Sequence, residues 1–308
     1  MKSSKKTNNN TGIEYEYGTS LFLLTRKQYV FGKKLTTKEQ EFLATILSHP
    51  KIAQIREISV VASIGFKDFW LQRIDDYLNR CEIIDLTQND HYGPADTGFF
   101  ENGNYVDGPS VKYNNTCQAN ISGKTALETF GSSYDWDKVK ETRASAFVLY
   151  NTKMYGSADN WFRQSKRCPI TSEVTGEIRD TFINAFNSCK DREKRIRFLR
   201  HGLNIEQNTP SYFICKYVKR KGRITMKCTD MPNFEDNTLG MIKAGRWKGY
   251  VGFFTEDGDK PIFKMQVKFN NGFLEEAKET TRDRIDLGGN IYAKVGNPLT
   301  SWNFSLCR

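Results

Sequence analysis

Gly93-Pro-Ala-Asp96-Thr-Gly-Phe-Phe-Glu-Asn102-Gly103-Asn-Tyr-Val-Asp107-Gly-Pro-Ser110-Val-Lys112-Tyr-Asn114-Asn115 is the stretch that decides the fold. Its centre, Asn102-Gly103, is a strong two-residue hairpin signal between two strand-like runs, Thr97 to Glu101 and Tyr105 to Tyr113. Asp96 stands at the head of this hairpin, and the return strand carries Ser110-Val111-Lys112. Side chains alternate along a strand, so Ser110 and Lys112 are expected on one face together with Val106. The hairpin brings that face back beside Asp96. A carboxylate, a hydroxyl and an ammonium are then expected to converge at one sheet edge.

Such a set suits phosphodiester hydrolysis. That reaction needs a hard cation on oxygen ligands, an activated water and a positive group near the phosphate. Asp96 can ligate Mg²⁺, and Lys112 can orient the attacking water and offset charge on the phosphate. The pattern resembles the PD-(D/E)xK nucleases, with two departures. Ser110 occupies the place of the second acid, and Pro94-Ala95-Asp96 replaces an adjacent Pro-Asp pair. The resemblance implies a further Glu from the first helix at the metal site. Glu16 follows the aromatic Tyr15 as that motif does, so Glu16 and Asp96 are the expected metal ligands. Glu14 lies about 200° away around the helix, so only one of the two can face the site.

The run Pro109-Ser-Val-Lys-Tyr-Asn-Asn115 after Asp96, with the ending Gly296-Asn-Pro-Leu-Thr-Ser-Trp-Asn-Phe304, is similar to the HaeIII-type type II restriction endonucleases. That resemblance implies Mg²⁺-dependent cleavage of double-stranded DNA at a short palindrome, of the GGCC type by its namesake. It also implies a symmetric homodimer matching a palindromic site. The implied fold is α/β (α+β): a restriction-endonuclease-like core with a mixed sheet flanked by helices, plus a β-rich DNA-binding lobe. Each residue also has an ordinary use. Asp96 could cap a turn after Gly93-Pro94, Lys112 could guard a sheet edge, and Glu16 could favour a helix N-terminus.

Charge supports a polyanionic partner. The chain has 46 Lys and Arg against 36 Asp and Glu, a net charge of +10. Twelve of those cations and only three acids lie between Lys190 and Lys227, so this region carries nearly all of the excess. Lys190, Arg192, Lys194, Arg195, Arg197 and Arg200 read as one helix. Lys216, Lys219, Arg220, Lys221, Arg223 and Lys227 read as a hairpin around a Lys219–Gly222 turn, a ribbon that fits a major groove. Asn114, Asn115, Asn270 and Asn271 could read adenine or bridge phosphates, and equally suit turns.

Outward from these segments, residues 1–11 are expected to be a disordered tail, 12–170 the catalytic core and 171–308 the basic, β-rich recognition region. Ile13, Tyr17, Leu21 and Leu24 form one stripe of a first helix. Thr36 or Thr37, with Glu39 and Glu41, opens a second helix that ends near Pro50. A third runs from about Lys67 to Arg80, and Thr175 to Leu199 reads as one long helical region. The 308 residues can bury a full core. The longest clean apolar run, Leu21 to Leu24, falls far short of the roughly 20 residues that span a bilayer. Seven scattered Cys with no paired-ligand spacing, and no apolar leader, suggest a reducing, cytoplasmic setting without membrane partners. GIY-YIG and HNH nuclease patterns fit poorly. Two rival functions remain: a non-catalytic DNA-binding protein on a degenerate nuclease scaffold, favoured by Ser110, and an RNA-binding or RNA-processing protein.

Overall fold

Thr36 begins the second helix as the sequence suggests. Its hydroxyl accepts from the Glu39 N–H, and the Glu39 carboxylate accepts from the Thr36 N–H, closing a capping box. Glu39 has a second task. It is fully buried, and its Oε1 accepts from Lys27 Nζ at 2.5 Å and from the Ile83 N–H at 2.9 Å. Lys27 also donates to the Cys81 carbonyl at 2.8 Å. A buried ion pair with its remaining valences satisfied ties three elements together: helix α1 (Ile13–Tyr29), helix α2 (Thr37–Leu47) and strand β1 (Glu82–Asp85).

The computed structural model describes residues 12–87, 90–113, 117–139, 169–231, 233–256, 258–269 and 300–306, with 141, 142 and 145. These residues form a mixed α+β protein with small sheets flanked by helices. No helix among them is long and apolar enough to cross a membrane. The expected tail and the four asparagines Asn114, Asn115, Asn270 and Asn271 lie outside the described residues. The chain divides into two compact units, Met1–Thr116 with Asn204–Asn233, and Cys117–Leu203 with Phe234–Arg308.

The first unit holds α1, α2, α3 (Ile52–Gly65) and α4 (Phe69–Arg80). Helix α3 was not expected from sequence. Its apolar residues spread around the axis, leaving Val60 and Ile64 exposed while Ile55, Ile58 and Ala62 are buried, so the one-sided stripe is blurred. One antiparallel sheet runs β1–β2 (Thr97–Glu101)–β3 (Asn104–Asp107). A second, mixed sheet runs β4 (Pro109–Tyr113)–β6 (Phe213–Arg220)–β7 (Arg223–Asp230), with β4 parallel to β6 and β7 antiparallel to it. Asn102-Gly103 and Lys221-Gly222 both take positive φ at two successive residues, the geometry of type I′ hairpin turns.

The long return strand expected from Tyr105 to Tyr113 is in fact two strands in two sheets. Gly108 is the break: a Cβ there would lie 2.1 Å from the Thr97 carbonyl oxygen, so only glycine lets the chain pass. Buried Asp107 clamps the break. It accepts from the Gly108 N–H at 2.9 Å, from Tyr77 Oη at 2.8 Å and from Arg73 at 2.5 Å. Val106 therefore belongs to a different sheet from Ser110 and Lys112, and the expected three-residue face is corrected to Ser110 with Lys112. The β6–β7 hairpin, grouped by sequence with residues 171–308, pairs instead with β4 inside the first unit.

In the second unit, α5 (Gly123–Thr129), α6 (Pro169–Ser188), α7 (Arg192–Leu203) and α8 (Asp236–Met241) accompany a five-stranded antiparallel sheet. Its order is β5 (Cys117–Ser122), β11 (Thr300–Leu306), β10 (Phe263–Phe269), β9 (Tyr250–Phe254), β8 (Lys243–Trp247). Phe130, Phe182, Phe186, Phe198 and Phe253 cluster beside it, mostly edge to face. The long helix expected over Thr175 to Leu199 is two helices, broken at 189–191.

Candidate functional site

Helix α1 lies against the mixed sheet through Tyr15, which stacks on Tyr113 at 4.4 Å, and Thr19, bonded to Tyr217 Oη at 2.8 Å. One contact sets the site. Ser20 Oγ and Thr97 Oγ1 are 2.7 Å apart and buried, and Ser20 also donates to the Glu16 carbonyl at 3.0 Å. Glu16 is one helical turn before Ser20, and Asp96 is one residue before Thr97. This hydroxyl pair therefore fixes the helix carrying Glu16 against the strand that follows Asp96.

Asp96 is held on the other side by β4. Its N–H donates to the Pro109 carbonyl at 2.9 Å, and its Oδ2 accepts from the Val111 N–H at 2.6 Å. Asp96 thus runs beside Pro109–Val111, the backbone that carries Ser110 and leads to Lys112. The carboxyls of Glu16 and Asp96 and the ammonium of Lys112 interact electrostatically. Burial, then the Asp96 charge, pushes Glu16 up to about 8, with Lys112 pulling it back and Asp85 and Glu14 adding to the rise. Burial raises Asp96 to about 6, against the lowering effects of Lys112 and the Val111 N–H. The Asp96 charge thus makes Glu16 the carboxyl that holds its proton to higher pH.

Asp85 belongs to this group, and sequence reasoning missed it. It ends β1 directly opposite Thr97, and the next N–H, of Leu86, donates to the Asp96 carbonyl at 3.0 Å. Its Oδ1 accepts from the Thr87 N–H at 3.0 Å and from Thr87 Oγ1 at 2.7 Å. Asp85 raises the proton affinity of both Glu16 and Asp96. Only strand register brings it here, since no motif spacing connects residue 85 to residue 96.

Other acids turn away. Glu14 is buried and ion-paired with Lys51. Asp107 is consumed by Arg73, Tyr77 and Gly108. Ser110 is fully buried, and its Oγ has no hydrogen-bond partner among the described residues. Among the described residues, no three His, Cys, Asp or Glu side chains are gathered closely enough to hold a metal ion unaided. The donor chemistry nevertheless fits Mg²⁺, which needs only one or two carboxylates when water and substrate phosphate complete its shell. Burial raises the proton affinity of both carboxyls, with the Asp96 charge adding to the rise at Glu16 and the Asp85 charge at both.

The basic segment separates into two parts. On the hairpin tip Lys219, Arg220, Lys221 and Arg223 are all exposed, and Lys216 is half-buried in β6. On helix α7, Arg200 pairs with Asp236 at 2.6 Å, Arg195 donates to the Gly240 carbonyl at 2.9 Å and Arg192 to the Asp236 carbonyl at 3.1 Å. Those three arginines hold helix α8 in place.

No family model matches the chain, and neither a curated protein nor a solved structure matches it.

Proposed function

We propose that this protein is a Mg²⁺-dependent endonuclease of the PD-(D/E)xK type that hydrolyses double-stranded DNA at a short specific site. The observation that carries the reading is the convergence of Glu16, Asp96 and Lys112, from a helix, a strand head and a second sheet, into one electrostatically coupled group. An exposed cationic hairpin extends from the same sheet as Lys112.

In this reading Asp96 and Glu16 supply the oxygens that hold the cation, and Asp85 adds negative charge nearby. The cation, when bound, supplies Lewis-acid polarisation of the phosphate and acidification of a water. Lys112 orients the attacking water and stabilises the charge that gathers on the phosphate oxygens. The Val111 N–H keeps Asp96 aimed at that point. The HaeIII-like features of the sequence extend the proposal to a palindromic target, a homodimer and a GGCC-type site.

The test is digestion of plasmid DNA with Mg²⁺ and with EDTA. Discrete fragments that appear only with Mg²⁺ are expected. Binding without cleavage would favour the second reading, a DNA-binding protein on a nuclease scaffold, for which the uncharged Ser110 speaks. Cleavage of RNA in preference to DNA would refute both.

A further inference from the structure

Three lysines from three strands stand side by side. In the parallel pair, Lys112 of β4 is the register partner of Lys216 of β6. In the antiparallel pair, Lys216 is the partner of Lys227 of β7. Directly opposed residues project from the same face of a sheet. The other face is the core side, where Val111, Cys215, Tyr217 and Cys228 are buried. The lysine face carries Ser110, Ile214 and Thr229 on one side of the row and Val218 and Thr225 on the other. None of these neighbours is an acid. Neither Lys216 nor Lys227 has an ion-pair partner among the described residues. The carboxyls of Asp96 and Glu16 stand only at the Lys112 end.

Folding gives no reason for such a row. Like charges directly opposed across strands destabilise a sheet, and here the repulsion is repeated across two strand pairs. A polyanion removes the penalty. Strands are spaced about 4.8 Å, so the row spans about 10 Å at the backbone. A B-DNA strand presents one phosphate per roughly 3.4 Å of axis, so a row of about 10 Å matches about three successive phosphates. We propose that Lys112, Lys216 and Lys227 form a phosphate track. It seats the scissile phosphate at Lys112 and the next phosphates of the same strand at Lys216 and Lys227. This inference rests on the nuclease reading and adds to it the path of the cleaved strand. Lys227 is a substrate contact that neither the motif nor the hairpin tip marks.

The experiment is fluorescence anisotropy of the full chain on a labelled duplex centred on GGCC across a salt series, with Ca²⁺ in place of Mg²⁺. Lys216→Ala and Lys227→Ala should each flatten the log K against log[salt] slope by about 0.9, which is about eightfold in affinity near 0.1 M salt. A duplex with one neutral methylphosphonate beside the cut should bind wild type more weakly yet bind the matching lysine variant no worse than the unmodified duplex does. Melting temperatures of both variants should hold or rise, because repulsion is relieved. If an alanine variant fails to fold, Lys216→Gln and Lys227→Gln keep the side-chain length and give the same readout. Slopes unchanged in both lysine variants, while the wild type binds and cuts DNA, would overturn the track alone. Absence of DNA binding, or tighter binding of RNA of the same sequence, would overturn the track together with the nuclease reading.

Discussion

Removing or adding one proton at Glu16 should control cation binding. With Glu16 at about 8 and Asp96 at about 6, most molecules at pH 7 carry a proton on this pair. A hard cation binds the ionised carboxylates, so each proton must leave first. The two values make apparent affinity about 100-fold weaker at pH 6 than at pH 8, and binding at pH 7 should release about one proton. Glu16→Gln removes the upper titration, leaving roughly a twofold change over the same range. Mn²⁺ is a suitable probe, with free ion followed by electron paramagnetic resonance and protons counted by calorimetry in two buffers of different ionisation enthalpy. Stability of the cation-free protein should follow the same titration. A carboxyl raised from 4.5 to about 8 holds more protons folded than unfolded, so its stabilisation is fully present below pH 4.5 and is lost as pH rises to 8. The melting temperature without cation should therefore fall through that window, and fall less in Glu16→Gln. Mn²⁺ affinity that is flat from pH 6 to 8, with no proton released, would refute the pairing of Glu16 and Asp96 at a cation site.

Asp96→Asn should abolish cleavage while DNA binding persists or tightens, because a charge facing phosphate is lost; wild-type rates in a Mg²⁺ digest would refute this. Replacing Arg220 and Arg223 at the hairpin tip by Ala should lower the salt slope of DNA binding by about 1–2, or cost about 1–3 kcal/mol of discrimination at one base pair if either reads a base edge. Competition between cognate and altered duplexes separates these two outcomes, and no change in either would show that the tip does not touch DNA. Gly108→Ala should destabilise the fold by about 3 kcal/mol or more in urea unfolding, since its Cβ would press on the Thr97 carbonyl oxygen; a loss under 1 kcal/mol would show that the break between β3 and β4 relaxes easily.

Local chemistry made several elements legible from sequence. The Thr36–Glu39 capping box, the positive-φ turn at Asn102-Gly103 and the basic hairpin around Lys221-Gly222 all depend on neighbours within a few residues. Helical periodicity separated Glu14 from Glu16, and only the aromatic-Glu resemblance chose between them; in the structure Glu14 pairs with Lys51, while the Glu16 carboxyl feels the charge of Asp96. Contacts between distant segments were not legible. Gly108-Pro109 is a local break signal, but nothing near it announces that the carbonyl of Thr97 will pass 2.1 Å from where a Cβ would stand; one long strand was expected where the chain makes two. Strand register alone sets Asp85 opposite Thr97 and lines up Lys112, Lys216 and Lys227 across more than 100 residues of sequence. Asp191 and Glu193 already set the helical cations apart from those of the acid-free hairpin, but only the fold brings Asp236 and the Gly240 carbonyl to Arg200 and Arg195. Propensity and capping act over a turn or two of chain, so sequence determines the elements and their termini. Which side chains share a face across a sheet depends on pairing between remote strands, and tertiary structure alone decides that.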